Sequence, residues 1–392
     1  MFLRICALKG INMKDIMKEN RGRNSNLELF RVITMLLIVA HHYVVNSGII
    51  DTMYENPLSA NSIFLFLFVA WGKTGINCFG VITGYFMCKS KITLEKYTKL
   101  ILEILFYNLV LSFLFLLTGY GTWSDIVNAL FIVKRINSGN FTACFLIFYL
   151  LIPFLNIFLE NINKRQHQFI LTVLMFFYVF LGTAPTFNVV MNYVSWFCFL
   201  YLVAAYIRFY PHDKGKWSLY LAALILVACC SVIVCLALGK IYNKEMAYRF
   251  VSDSNTFIAF AIAICSFMLF KNLKIRHSNF INAIGGSTFG VLCIHANSNT
   301  MREWLWQTVF DVKGHFSLPT IQLILYSIGC VTLTFVCCTV LDLLRKKYIE
   351  QPVMNRMVLN RHFRQLDAFF EFILTLNFKT EYLCSCLCTL MN

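Results

Sequence analysis

Ten residues separate Arg31 from His42 in ELFRVITMLLIVAHHY (28–43), an apolar run that opens beside a guanidinium and closes on two adjacent imidazoles. In an α-helix, eleven positions at about 100° each make three turns plus roughly 20°, so Arg31 and His42 share one face. A rise of about 1.5 Å per residue sets the imidazole roughly 16 Å beyond the guanidinium. His41 points about 80° away from that face, toward a neighbouring helix, where it supports packing or orientation. Glu28 stands one turn before Arg31 and can pair with it.

An ionisable side chain inside a membrane span costs on the order of 2.5–3.5 kcal/mol at the bilayer centre and therefore reads as functional. Within an apolar run read as the span 29–48, His42 falls near the midplane. A neutral imidazole there can take a proton from a hydroxyl or transiently accept an acyl group. The same ring also suits an interhelical hydrogen bond, or ligation of haem or metal. No second axial ligand and no further ligand at helical spacing accompanies it, so no metal is expected.

The elements that hold these residues follow from hydropathy. The 392 residues are 59% hydrophobic and 14% charged, against about 45–50% and about 25% in soluble domains. Mean hydropathy is +0.67. This composition excludes a water-soluble core and predicts an all-α, polytopic integral membrane bundle. Runs long enough to cross about 30 Å of hydrocarbon lie at 29–48, 62–82, 99–118, 141–159, 168–184, 189–208, 217–238, 254–271, 279–298 and 319–343, ten spans in all. Residues 122–134 are too short and polar to span, and suggest an interfacial or re-entrant helix.

Charge places the ends. The net charge of +15 reads as topology rather than nucleic-acid binding, because Lys and Arg sit in short clusters between apolar runs. Ten spans with both termini cytoplasmic put the clusters of 1–31, Lys89 to Lys99, Lys164 and Arg165, Arg208 to Lys216, Lys271 to Arg276, and Arg345 onward on the inner side, as expected for cytoplasmic loops. The chain divides into a basic N-terminal segment (1–27), a membrane domain (28–355) and a cytoplasmic tail (356–392). Cys384, Cys386 and Cys388 in that tail read as reduced thiols, and most other cysteines lie in apolar runs as small hydrophobes.

ELFRVITMLLIVAHHY resembles the opening span of the acyltransferase family 3 membrane proteins, whose mark is a basic residue, ten positions, then histidine; Arg31 and His42 fit, and His41 does not. GINCFGVITGYFM (75–87) resembles the family's second-span SGYF stretch, with Thr83 where serine is usual. FYLLIPFLN (148–156), WFCFLYLVAAYI (196–207), STFGVLCIH (287–295) and YIEQP (348–352) resemble later landmarks in the same order, so the resemblance covers roughly 26–355.

The resemblance implies transfer of an acyl group, most commonly acetyl, from cytoplasmic acyl-coenzyme A to a hydroxyl of an extracytoplasmic carbohydrate or other envelope acceptor, in the cell membrane. It implies His42 as base or acyl relay and Arg31 as its partner at the coenzyme A side. The family's Arg-x-x-Arg pair has its nearest match in Lys96 and Lys99; lysine keeps the charge without the bidentate fork, and both also suit a positive-inside anchor. Glu28, Asn77 and Tyr85 are possible pocket residues; the other role of Asn77 and Tyr85 is interhelical hydrogen bonding. His295 either contacts the acceptor or caps a helix. Trp196 reads as an interfacial anchor, and Glu350 pairs with a neighbouring Arg or Lys. A transporter or flippase for an envelope glycan or lipid intermediate is the alternative, weakened by only six prolines and no half-chain symmetry.

Overall fold

The computed structural model describes residues 24–375 except 133–139, 185–186, 188, 190, 212–213, 243–244 and 252. The basic segment 1–23 and the cysteines Cys384, Cys386 and Cys388 lie outside the described residues.

Every expected span contains helix, and no strand occurs among the described residues. The main helices are α1 (Ser25–Val45), α2 (Ala60–Val69), α3 (Gly72–Met87), α4 (Leu94–Leu117), α5 (Trp123–Leu130), α6 (Phe141–Glu160), α7 (Lys164–Thr183), α8 (Tyr193–Phe209), α9 (Trp217–Tyr242), α10 (Phe257–Asn272), α11 (Asn279–Gly286), α12 (Thr288–His295), α13 (Thr320–Arg345) and α14 (Arg361–Thr375), with short helices such as Ile50–Glu55, Asn299–Glu303 and Gln351–Leu359 between them. Among the described residues seven helical stretches are long and apolar enough to cross a bilayer, with α2 and α3 counted as one. Two further apolar helices, α8 and α10, are shorter. Outward faces carry large apolar side chains such as Leu226, Val234, Ile321 and Leu325. Such continuous apolar surface belongs against lipid rather than water. The protein is therefore a multi-pass helical membrane protein.

Helix ends depart from hydropathy in three places that matter to the site. The first span ends at Val45, not 48, because Asn46-Ser47-Gly48 break it: Ser47 Oγ donates to the Val44 carbonyl at 2.9 Å and Gly48 takes φ +69°. His42 consequently sits in the last turn of α1, not at mid-helix. The second span divides between Val69 and Gly72. The expected span 279–298 is two eight-residue helices meeting at Ser287, and Lys346 Nζ donates to the Gly286 carbonyl at the break. Irregular backbone of this kind is tolerated where protein groups satisfy it. Residues 123–130 of the predicted polar helix form α5, with Thr122 and Asp125 as a reciprocal cap.

α3 is the hub, packing on α1, α8 and α10. Small residues on it let backbones close up, which is how membrane helices associate without a hydrophobic drive between them. A Cβ on Gly84 would stand 2.8 Å from the Ala204 Cβ and 2.9 Å from the Tyr201 Cα. Backbone cannot yield as a side-chain tip can, so Gly84→Ala is expected to destabilise the α3–α8 contact by about 1–3 kcal/mol. Unfolding of the purified protein in detergent checks this; an unchanged midpoint would refute the close-packing account. Trp196 on α8 is fully buried, and its indole N–H donates to Asn77 Oδ1 at 2.8 Å. It is a core residue rather than an interfacial anchor, because α8 is enclosed by α3, α6 and α7.

Candidate active site

The turn that ends α1 delivers His41 and His42 to opposite neighbours. His41 Nδ1 lies 3.0 Å from the carbonyl of Val69, at the end of α2. Its ring presses on Gly72, where a Cβ would meet the ring at 2.1 Å. His42 Nδ1 lies 3.1 Å from His295 Nε2, and His295 Nδ1 lies 2.7 Å from the carbonyl of Val291, one turn earlier in α12. His295 is fully buried.

The carbonyls assign the tautomers. A carbonyl only accepts, so His295 Nδ1 must carry hydrogen, and a neutral His295 then offers the lone pair of Nε2. His42 Nδ1–H donates to that lone pair, leaving His42 Nε2 unprotonated. Protons are placed here by this hydrogen-bond logic. The result is a chain of contacts, Val291 carbonyl to His295 to His42, that fixes one ring and leaves its far nitrogen with a free lone pair. A hydroxyl delivered to Nε2 can lose its proton there.

His42 borders a cavity of about 620 Å³, within the range of small-ligand sites. Ile38, Ile76 and Leu292 provide apolar wall and His41 a second imidazole, while Asn108, Asn140, Asn297, Asn299 and Thr300 provide amides and a hydroxyl. Three charged residues also line it: Lys73, Asp125 and Arg302. Asn297 Nδ2 donates to Asn108 Oδ1 at 2.9 Å, tying the loop after α12 to α4.

The other predicted site residues lie away from this cavity. Arg31 ion-pairs with Glu28 at 3.2 Å, and its guanidinium is 5.7 Å from the Phe86 ring centroid. The pairing expected one turn apart is present; Arg31 and His42 occupy opposite ends of α1, and Arg31 does not line the cavity. Asn77 is fully buried, donating to the Ser254 carbonyl at 2.7 Å while accepting from Trp196. Tyr85 accepts from Arg208 at 2.7 Å and lies under its guanidinium. Both are interhelical ties, the second of their two expected roles. Lys96 Nζ donates to Ser90 Oγ and the Lys91 carbonyl at 3.1 and 2.7 Å. Lys99 pairs with Glu350 at 2.9 Å.

The sequence reads His295 as a cap or an acceptor contact; in space its Nε2 lies against His42 Nδ1. Lys73 and Arg302 were not singled out; Lys73 opens α3 and Arg302 lies past α12, so no single apolar run displays them together. A buried ion cluster was also missed apart from Glu350. Arg345, with a 4% exposed side chain, meets Glu103 at 2.9 Å, Asp342 at 3.0 Å and Glu350 at 2.6 Å.

The multi-pass helical bundle seats one imidazole, held by a second, on the wall of a polar cavity. A family model described as an acyltransferase domain, acyltransferase 3, matches residues 24–343. That range covers most of the 392 residues, so the chain belongs to this acyltransferase family. No curated protein and no solved structure matches it.

Proposed function

We propose that this membrane acyltransferase moves an acyl group, most simply acetyl, from cytoplasmic acyl-coenzyme A to a hydroxyl of an extracytoplasmic carbohydrate in the cell envelope, with His42 as the base. The observation that carries the reading is the His42–His295 pair on the polar cavity, in a chain of acyltransferase family. With the N-terminus inside, the Arg31 end of α1 faces the coenzyme A side, and the cavity at the His42 end takes the acceptor. Arg31, Lys96 and Lys99 then act as cations toward the phosphates of the donor, Arg31 and Lys99 by exchanging an internal carboxylate for a phosphate.

The reaction balances without a metal. The acceptor hydroxyl gives its proton to His42 Nε2, its oxygen bonds the acyl carbon, and the carbon–sulfur bond breaks. The coenzyme A thiolate then takes the proton that His42 holds.

The test is label transfer from acetyl-coenzyme A by the purified chain in liposomes to isolated envelope glycans. Label is expected in the glycan with release of free thiol; movement of glycan without acyl transfer would overturn the reading in favour of a transporter. His295 is a positioning residue, so His295→Phe is expected to lower kcat by about ten- to a hundredfold, since a small misplacement of a reacting group costs that much. The acceptor KM should stay near wild type. His295→Gln, whose side-chain oxygen can accept from His42 Nδ1, should recover part of the rate. Equal losses in both variants would mean that His295 only packs.

A further inference from the structure

The cavity wall holds two cations whose purpose the proton-transfer step does not explain. Lys73 sits in the first turn of α3, where its Nζ donates to the Tyr193 hydroxyl at 3.1 Å. Arg302 comes from the helix Asn299–Glu303, where Nη2 donates to Asn299 Oδ1 and the buried Nε has no partner. Among the described residues neither cation forms an ion pair with a carboxylate. The acid in the same wall, Asp125, is turned to its own helix: its Oδ2 accepts from the Thr122 amide and hydroxyl, each at 2.8 Å, as the cap of α5, and it pairs with neither cation. Glu303 follows Arg302 in sequence but is exposed and does not line the cavity.

A lysine and an arginine head kept in a partly enclosed polar cavity without an ion-paired carboxylate are costly. They raise local anion concentration and strengthen any charge-assisted hydrogen bond made there. A ligand that brings its own negative charge removes that penalty by neutralising the cations.

Resting on the acyl-transfer reading of this cavity, we propose that the acceptor is an acidic saccharide, whose carboxylate or phosphate sits between Lys73 and Arg302 while a nearby hydroxyl meets His42. The amides of Asn108, Asn140, Asn297 and Asn299 suit the remaining sugar hydroxyls.

The test uses three matched probes: cellotetraose, its C6-oxidised tetrauronate, and its C6-phosphorylated form. Equilibrium binding to the purified full chain in nanodiscs is measured without donor, and transfer from labelled acetyl-coenzyme A is measured separately. The anionic probes should bind at least about tenfold more tightly than the neutral one, the effect of roughly 1.4 kcal/mol. The advantage should shrink as salt rises. Lys73→Gln and Arg302→Gln should each reduce the anionic-to-neutral ratio, and Lys73→Glu should bring it to one or below. The uronate and phosphate arms tell which anion is preferred. Equal binding of all three probes to the wild type, or a ratio untouched by every variant, overturns the proposal. Anion preference in binding with no transfer to any probe leaves the anion site standing and counts against acyl transfer in this cavity.

Discussion

Replacing His42 by alanine is expected to reduce acyl transfer by about 10²–10⁴-fold, the usual worth of a positioned general base. The variant should remain folded, because His42 is only partly buried and its removal leaves His295 still bonded to the Val291 carbonyl. Purified His42→Ala should therefore elute and unfold like wild type while releasing almost no free coenzyme A. His41→Ala is the informative contrast. It removes a hydrogen bond to Val69 and the ring packed on Gly72, so its cost should appear chiefly in stability, with a smaller loss of rate. Wild-type turnover by His42→Ala, or a larger kinetic defect in His41→Ala, would sink the assignment of the base. The two rings are neighbours in sequence, and both border the cavity. What separates them is the partner of Nδ1: a terminal helix carbonyl for His41, a second imidazole for His42.

That distinction was half legible in the sequence. Helical phase put His41 and His42 on different faces, and the spacing from Arg31 marked His42. The tautomer was not legible, because it depends on His295, 253 positions away along the chain. Hydropathy located the helices of all ten expected spans, since apolar runs are long and unambiguous, but it passed over short or polar helices such as α14 and averages over breaks such as those at Gly72 and Ser287. Those breaks are made by particular partners, a histidine ring against one and a lysine against the other. The same limit applies to charge. Lys99 reads as a surface anchor from its neighbours in sequence, whereas in space it faces Glu350. Asn77 reads as a pocket residue until Trp196 and the Ser254 carbonyl are seen to occupy it. A polar residue in an apolar run signals that something is bonded; it does not say whether the partner is substrate or protein.

Arg345→Met is expected to destabilise the fold by about 3–5 kcal/mol, the cost of leaving buried charge without its counter-ion. Arg345 touches three carboxylates, and its Nε also donates to the Tyr107 hydroxyl at 3.2 Å. Tyr107 in turn donates to Asp342 Oδ1 at 2.8 Å, and Lys346 meets Asp342 Oδ2 at 2.9 Å. With Arg345 gone, Lys346 and Lys99 are left to balance Glu103, Asp342 and Glu350. The double variant Glu103→Gln, Arg345→Met removes the excess acid and should recover part of the loss. Unfolding in detergent checks both; a single variant as stable as wild type would show that water reaches the cluster. The consequence extends to the base. Asp342 packs so closely on α12 that a Cβ at Gly290 would lie 2.1 Å from its Oδ1. Val291, the next residue, supplies the carbonyl that sets the His295 tautomer. Loosening Asp342 should therefore lower kcat in whatever fraction stays folded, and the double variant should restore both properties together. Recovery of stability without recovery of rate would separate the ion cluster from the histidine pair.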